Sequence, residues 1–206
     1  MATNNGVIYV AYGLPARNEA IESIKTLRQH NDLPVAVISD SPIGGTQHIY
    51  MKDSDKGGRM AKLSIDSLSP FDHMLYLDAD TRVNGDITKP FDILADGWDL
   101  AICHSIRQGE DVLGNIEPAD RVLTAGTIGT ANALGLQAGV IYIRKSERIS
   151  RLFKAWREEW QRFKTMDQGA LLRALAKEPV NIWLLGRTYN GGGKSLIEHR
   201  FGMARR

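Results

Sequence analysis

Two aspartates one residue apart, Asp78 and Asp80, follow the apolar residues of "MLYLDADTRV". Two carboxylates this close repel each other, and each resists desolvation unless a cation or strong hydrogen-bond donors balance it. Carboxylate oxygens are hard ligands that suit Mn²⁺ and Mg²⁺, and such an ion could neutralise a diphosphate as a glycosidic bond breaks. The isolated pair does not select this chemistry, because other reactions also use Asp-x-Asp.

The strongest rival is phosphoryl transfer. The letters "LYLDADT" match the haloacid dehalogenase-like phosphatase pattern, in which Asp78 would attack phosphorus and Asp80 would act as acid and base. Position in the chain disfavours this interpretation, because that family carries the motif on its first strand, whereas two predicted strands precede it here. No later predicted strand shows the acidic pair that helps to hold Mg²⁺ in those enzymes.

A glycine-rich segment, "YNGGGKS" at 189–195, raises the possibility of a phosphate-binding loop. A Walker A loop requires glycine five residues before its Gly-Lys pair, and Thr188 occupies that position. The segment also lies near the end of the sequence rather than between a strand and a long helix. We interpret it as a flexible turn that precedes a short final segment.

Alternating strand and helix patterns must position the two aspartates. Strands are predicted at 7–13, 34–40, directly before Asp78, and at 98–105, 136–145 and 180–186. Such alternation predicts an α/β fold with a mostly parallel central sheet flanked by helices, in which ligands bind beyond the carboxyl ends of the strands. The aspartates lie at one of these ends.

Four helices are predicted from apolar residues at helical spacing. They cover 16–30, with Ala20, Ile21, Ile24 and Leu27 on one stripe; 59–68, with Met60, Leu63 and Leu68 inward; a segment that Ser146 caps, with an aromatic stripe through Trp156 and Trp160; and 166–177. Residues 108–135 lack apolar periodicity. We expect them to form an irregular, functional loop on the side of the site where the acceptor of a transferred group would bind, which we call the acceptor side.

Composition limits the classes of protein that fit. The 206 residues are 43% hydrophobic with a formal net charge of +2, which is typical of one globular domain. We expect a single domain over 1–206, with a nucleotide-binding part at about 1–105 and the acceptor-side loop at about 106–135. We expect a cytoplasmic protein without stable membrane insertion. The lone Cys103 cannot form an internal disulfide, and the sequence has neither a signal peptide nor an apolar run that approaches about 18 residues.

Several segments together resemble GT-A fold glycosyltransferases, in particular family 8, the glycogenin and galactosyltransferase-like retaining enzymes. The resemblance rests on "RMAKLSIDSLSPFDHMLYLDADTRVNGDI" (59–87), "LQAGVIYIRKS" (136–146), "MDQGALLRAL" (166–175) and "HRFGMAR" (199–205), in the family's order. Gln137 stands where the family usually has Asn, and Arg205 where Lys is commoner. The resemblance implies a metal-dependent, retaining transferase that uses a nucleotide diphosphate sugar, most often UDP-linked.

The resemblance also implies roles for individual residues. Asp78, Asp80 and His199 would bind Mn²⁺ or Mg²⁺, with Asp78 also reaching the nucleotide. Asp167 and Gln168 would face the transferred sugar as catalytic residues, although Thr165 and Gln168 also match a capping box at a helix start. The remaining residues would contact the nucleotide sugar: Ala11, Tyr12 and Gly13 at the base, Asp40 at the base or ribose, and Arg59, Lys62, Lys194 and Arg205 at the phosphates or sugar hydroxyls.

The acceptor is left open by the sequence, as is the oligomeric state. A saccharide, a protein side chain or a hydroxylated DNA base each offers a hydroxyl, and only the basic residues at 144–151 and in the terminal segment favour DNA. A non-catalytic module that binds sugar nucleotides is a further possibility.

Overall fold

The computed structural model of the chain describes residues 4–52, 58–106 and 111–205, without the side chain of Arg205. Nine strands are present in this part of the chain. They are β1 (Asn5–Ala11), β2 (Val35–Ser39), β3 (Gln47–Tyr50), β4 (His73–Leu77), β5 (Thr81–Val83), β6 (Leu100–His104), β7 (Leu136–Arg144), β8 (Ile182–Leu185) and β9 (Ile197–His199).

Seven α-helices accompany the strands within the described residues. They are α1 (Gly13–His30), α2 (Arg59–Lys62), α3 (Ile65–Leu68), α4 (Pro90–Ala95), α5 (Pro118–Ile128), α6 (Glu147–Gln161) and α7 (Asp167–Lys177). Short 3₁₀ turns at Arg187–Tyr189 and Met203–Arg205 flank the last strand.

The main sheet has seven strands in the order β3-β2-β1-β4-β7-β6-β8. Strand β7 runs antiparallel to both of its neighbours, while the other adjacent pairs are parallel. Helices pack on both faces, so the predicted α/β fold with a mostly parallel sheet is confirmed. A separate two-stranded sheet joins β5 to β9.

Alternation along β4 directs its side chains to two apolar cores, because successive residues of a strand point to opposite faces. Leu75 and Leu77 enter the core beneath α1 and α4, whereas Tyr76 enters the core beneath α6 and α7. The buried strand ends at Leu77, and the turn that follows carries Asp78 and Asp80. The central strand of the sheet thus delivers both carboxylates to its carboxyl edge.

Several sequence-based expectations are wrong in detail. The segment 59–68 forms two short helices rather than one, because the chain leaves helical geometry at Leu63 and Ser64. Ile21 is 44% exposed, and Ser23 takes the buried position on α1 instead. The expected irregular loop at 108–135 contains α5, which Glu117 caps by accepting a hydrogen bond from the Asp120 N–H. Part of that loop lies outside the described residues.

The predicted capping of α6 is confirmed. Ser146 Oγ accepts the Ile149 N–H at 3.2 Å, and the aromatic stripe of this helix packs into the core through Phe153, Trp156 and Trp160. The sequence did not predict the elements α4, β3, β5 and β9. Each is six residues long or shorter, which is too short for a strong periodic pattern of apolar residues.

Candidate functional site

Three potential metal ligands converge at the carboxyl end of β4. Asp78, Asp80 and His199 each offer one ligand atom, and these atoms lie within 4.8 Å of one another. His199 Nε2 is 3.2 Å from Asp80 Oδ1 and 3.6 Å from Asp78 Oδ2. Pairing of β5 with β9 sets Thr81 opposite His199, which brings the end of the chain to the aspartates. The structure thus assembles the three residues that the resemblance implied as ligands.

The donor set suits a divalent ion of the Mn²⁺ or Mg²⁺ class. Two carboxylate oxygens and one imidazole nitrogen match the preferences of Mn²⁺, and Mg²⁺ accepts the oxygens. Gly139 of β7 leaves the space in which His199 and Asp78 approach each other, since a Cβ there would lie 2.3 Å from His199 Cε1 and 2.8 Å from Asp78 Oδ2. The residues present therefore fit the ion in both chemistry and space.

Asp80 is bound to the terminal segment of the chain. Its Oδ2 accepts the N–H groups of Gly202 at 2.7 Å and Met203 at 3.1 Å, while Oδ1 faces His199. Burial would raise the pKa of this carboxyl, but the hydrogen bond and charge of His199 and the Gly202 N–H outweigh burial and lower the pKa to about 2. Asp80 is therefore ionised at neutral pH, as a metal ligand must be.

Asp78 is oriented by two groups on its Oδ1 atom. The Tyr76 hydroxyl donates a hydrogen bond at 2.5 Å, and Lys62 Nζ lies 3.5 Å away. Burial, reinforced by the negative charge of Asp78, raises the pKa of Tyr76 well above its usual value, so the phenol keeps the proton that it donates. Oδ2 of Asp78 is left facing His199.

Asp167 forms a buried ion-pair cluster with two cations from α2. Its Oδ2 lies 2.6 Å from Arg59 NH1 and 3.0 Å from Lys62 Nζ. Burial would raise the pKa of Asp167, but Lys62 and Arg59 outweigh it and hold the pKa well below the usual range. Arg59 and Lys62 do lie on one face of α2, and Asp167 pairs with both of them.

The expected capping box at the start of α7 is wrong. Met166 occupies the N-cap position without a side-chain cap, and Thr165 Oγ1 instead points toward Asp120 Oδ2 at 3.5 Å. Two indoles of α6 bind this segment: Trp160 Nε1 donates to Thr165 O and Trp156 Nε1 to Asp167 O, each at 3.0 Å. Tertiary hydrogen bonds therefore position the start of α7, and Gln168 has no capping role.

A cleft of about 700 Å³ opens above these groups. Most of the residues implied by the resemblance line it, namely Tyr12, Arg59, Lys62, Asp78, Asp80, Asp167, Gln168 and His199. The three candidate metal ligands and the pair Asp167 and Gln168 at the start of α7 therefore share one cavity. Its described wall also includes Trp160, Lys164 and Phe201.

Other residues implied by the resemblance lie outside the described lining of the cleft. Ala11 is fully buried in β1, and Lys194 is exposed on the glycine-rich turn. Asp40 accepts the Gly13 N–H at 3.2 Å and pairs with Arg17 at 2.5 Å, a pair that lowers the pKa of Asp40 despite the opposing effect of desolvation. The side chain of Arg205 lies outside the described residues.

Tyr12 lines the cleft as a ring and not as a free hydroxyl. Its OH donates to Met51 O at 2.6 Å, so the hydroxyl is bound to the protein, and the residue lies in the wall of the cleft. Gly58 lies against this ring, since a Cβ there, at a φ of +66°, would be 2.7 Å from Tyr12 Cδ2. A planar group could stack on this aromatic surface.

Sequence reasoning missed three residues that shape the site: Tyr76, Asn190 and Phe201. Asn190 Oδ1 lies 2.9 Å from His199 Nδ1, and the Phe201 ring stacks on His199 with centroids 4.0 Å apart. Tyr76 lies two residues before Asp78, and residues two apart on a strand point to the same side of the sheet. This spacing is a signal that the sequence contains. Asn190 and Phe201 carried a signal only through their nearness to His199 in sequence.

The basic residues at 144–151 are largely neutralised within the protein. Arg144 and Arg148 both pair with buried Asp99, at 2.8 and 3.1 Å. Arg151 lies 3.3 Å from each of Glu147 and Glu178. These pairs reduce the positive charge that this face offers to DNA. Separately, none of the described helices has the length and apolar character needed to cross a bilayer.

Comparison with known proteins gives a likeness in structure alone. No family model and no curated protein matches the sequence. The galactosyltransferase LgtC, solved with donor and acceptor sugar analogues, aligns with a TM-score of 0.67 at 16% identity over 96% of this chain and 87% of that chain. Mouse xyloside xylosyltransferase 1 aligns at 0.63 and 11% identity, over 96% and 98% of the two chains.

In a third comparison, this chain aligns with less than half of the neighbouring protein. The glycosyltransferase GlyE of Streptococcus pneumoniae aligns with a TM-score of 0.61 at 19% identity, over 91% of this chain and 46% of that one. At these identities the likeness establishes the fold, which is the GT-A glycosyltransferase fold that the sequence motifs predicted.

Proposed function

We propose that the chain is a metal-dependent glycosyltransferase. It transfers a sugar from a nucleotide diphosphate sugar, in our proposal a UDP-sugar, to a hydroxyl group of an acceptor, with retention at the anomeric carbon. One observation carries the proposal: Asp78, Asp80 and His199 converge within 4.8 Å on the floor of a cleft in a GT-A fold.

The three ligands would hold Mn²⁺ or Mg²⁺, which when bound supplies positive charge to the diphosphate as it leaves. The chain's own residues then orient the donor. Tyr12 offers a ring to the base, while Lys62 lies between Asp78 and Asp167, 3.5 and 3.0 Å from them, and so spans the metal side and the sugar side. Lys194 and Arg205 are proposed to reach the diphosphate from the terminal segment.

Asp167 and Gln168 are proposed to face the transferred sugar. Because Arg59 and Lys62 keep Asp167 ionised, its carboxylate can accept hydrogen bonds from sugar hydroxyls but cannot donate a proton. Gln168 offers an amide with both donor and acceptor atoms at the same wall of the cleft. The pair would thus orient the sugar ring above the metal-bound diphosphate.

The phosphatase alternative fits these contacts less well. That chemistry requires Asp80 to pass a proton to and from a leaving group. Here Oδ2 of Asp80 accepts two backbone N–H groups and Oδ1 faces His199, so both oxygens are already engaged. A pKa of about 2 also keeps this carboxyl unprotonated at neutral pH.

Release of nucleoside diphosphate tests the proposal. A panel of UDP-, GDP- and ADP-sugars is incubated with the protein and Mn²⁺, with and without simple saccharide acceptors, and the released diphosphate is measured. We expect release with a UDP-sugar that EDTA abolishes. Asp80→Ala should lose it, whereas Asp96→Ala, which changes an exposed aspartate outside the described cleft lining, should keep it.

Each alternative gives a different result in the same assay. Metal-dependent binding of a sugar nucleotide, without release under any condition, would identify a non-catalytic binding module. Release of inorganic phosphate from small phosphoesters, dependent on Asp78, would identify a phosphatase. Either result would overturn the proposed transferase.

A further inference from the structure

The glycine-rich segment at 189–195 contains a buried polar residue directed at the metal centre. Asn190 is 1% exposed, and its Oδ1 atom lies 2.9 Å from Nδ1 of His199. The opposite nitrogen of the same ring, Nε2, faces Asp78 and Asp80. A segment that the sequence left as a flexible turn therefore contacts the far side of a candidate ligand.

The orientation of the Asn190 amide follows from its second contact. Its Nδ2 atom donates to the carbonyl oxygen of Gln137, 3.4 Å away on β7, so its Oδ1 atom faces His199. A carbonyl oxygen only accepts hydrogen bonds, and therefore Nδ1 of His199 must carry the proton. A divalent ion would take the lone pair of Nε2, the nitrogen that points to both carboxylates, and the proton that remains on the ring would then lie on Nδ1.

Packing fixes the plane of the His199 ring but not its proton. Phe201 stacks on one side, with an interplanar angle of 21°, and the backbone of Gly139 is close to the ring edge. Neither contact distinguishes a ring protonated at Nδ1 from one protonated at Nε2, since apolar and steric contacts do not depend on the tautomer. Two sets of contacts do depend on the tautomer: the carboxylates of Asp80 and Asp78 favour a proton on Nε2, whereas the Asn190 amide is the described contact that requires a proton on Nδ1.

The backbone of the glycine-rich segment holds Asn190 in place. Gly191 N donates to Ile197 O at 3.1 Å, and His199 N donates to Gly191 O at 2.7 Å. A side chain at Gly191 would not fit, because a Cβ would lie 2.4 Å from Ser195 Oγ and 2.7 Å from Arg187 O. The segment is thus hydrogen-bonded to β9, the strand that ends in His199.

From these contacts we propose that Asn190 is a positioning residue for the metal centre, presented by the glycine-rich segment, and that it sets the tautomer in which His199 offers Nε2 to a divalent ion. The metal-binding half of this inference rests on the proposed function, whereas the tautomer half does not. Partners of this kind that bind the outer nitrogen of a ligating histidine typically contribute about 10- to 100-fold in metal affinity.

The test compares Asn190→Leu, which keeps the approximate volume but removes the acceptor, with Asn190→Asp, which keeps an acceptor. Mn²⁺ affinity is measured by titration with detection of free Mn²⁺ by EPR. The ring tautomer is measured in the metal-free proteins at pH 8 by ¹⁵N NMR of the imidazole, with His199 assigned from the loss of its signals in His199→Gln.

We expect a proton on Nδ1 in the wild type and in Asn190→Asp, and a proton on Nε2 alone in Asn190→Leu together with a loss of Mn²⁺ affinity of at least about 10-fold. A wild-type ring protonated on Nε2 alone, or unchanged Mn²⁺ affinity in Asn190→Leu, would overturn the inference. The wild-type spectrum decides the tautomer even if Asn190→Leu does not fold. If the wild type bound no Mn²⁺ but showed the Nδ1 proton, the proposed function would fail while the tautomer assignment stood.

Discussion

Gly139 of β7 lies so close to the imidazole of His199 that no larger residue fits at position 139. A Cβ on Gly139 would be 2.3 Å from Cε1 and 2.8 Å from Nδ1 of His199. Gly139 O also accepts the Asp78 N–H at 2.8 Å, so the same residue contacts a second candidate metal ligand through its backbone. One glycine therefore permits the approach of two candidate ligands from distant parts of the chain.

Gly139→Ala should displace His199 and weaken Mn²⁺ binding without unfolding the protein. Contacts under about 3.0 Å force a neighbour to move, and the atoms within that distance of the added Cβ belong to the side chains of His199 and Asp78. We expect Mn²⁺ affinity, measured by EPR titration, to fall by at least about 10-fold. The strand should survive, because alanine is compatible with the backbone of β7.

The matched control is Gly126→Ala in α5, where a Cβ would meet nothing within 4 Å. This variant should keep wild-type Mn²⁺ affinity and gain roughly 0.5–1 kcal/mol of stability, because alanine favours the helix. Wild-type Mn²⁺ affinity in Gly139→Ala would contradict the spatial role that we assign to Gly139.

The sequence predicted the parts of the site that depend on strand periodicity. Asp78 and Asp80 were placed at the end of a buried strand because an apolar run ends there, and the structure has β4 end at Leu77. His199 could be linked to them only through a family resemblance. The pairing of β5 with β9 that joins them involves three residues on each strand, too few for a periodic signal.

Other parts of the site depend on tertiary contacts that no local pattern contains. Thr165 and Gln168 matched a capping box, yet the indoles of Trp156 and Trp160 hold the segment in a different geometry. Helical spacing placed Arg59 and Lys62 on one face but could not show that Asp167 lies between them, far along the chain. Spacing predicts which side chains share a face, and not which partner they meet there.

Asp167→Asn should separate donor binding from transfer. The substitution removes the carboxylate that engages half-buried Arg59 and buried Lys62 and leaves Lys62 with only its longer contact to Asp78, which should lower the free energy of unfolding by about 3 kcal/mol. The freed cations should attract phosphate, so affinity for UDP, measured by calorimetry with Mn²⁺, should be equal to or higher than that of the wild type.

Sugar transfer by Asp167→Asn should fall by about 100-fold or more, because the sugar loses an ionised acceptor that orients it. Calorimetry and diphosphate release report the two effects separately. A variant with weakened UDP binding and unchanged turnover would contradict the proposed position of Asp167 on the sugar side of the cleft.

Trp160→Phe should reduce turnover more than donor binding. The change keeps an aromatic ring in the core but removes the indole N–H that donates to Thr165 O at 3.0 Å. The start of α7, with Asp167 and Gln168, would then be less firmly positioned. We expect kcat for the donor to fall by about 10-fold or more, with KM changed by less than about 3-fold.

Trp98→Phe is the matched control for Trp160→Phe. Trp98 packs edge-to-face on Trp183 of β8, with ring centroids 5.1 Å apart, outside the described lining of the cleft. It should cost stability without changing kcat. Equal effects of the two substitutions on kcat would show that the Trp160 hydrogen bond has no positioning role.

His73 should make stability decrease as the pH falls below about 7. It is buried at the start of β4, and among the described residues its Nδ1 atom has no hydrogen-bond partner. Burial, and then the positive charge of Arg144, lower the pKa of His73, with Asp72 opposing them. The unfolded chain therefore takes up this proton near pH 6.5 and the folded chain only at lower pH, so stability falls as pH decreases from about 7 until folded His73 is also protonated, by up to about 1.4 kcal/mol per pH unit. Urea unfolding at pH 7, 6 and 5 should show a shallower pH dependence for His73→Gln than for the wild type or for His30→Gln, which alters an exposed histidine at the end of α1. Parallel curves for His73→Gln and the wild type would show that His73 does not determine this dependence.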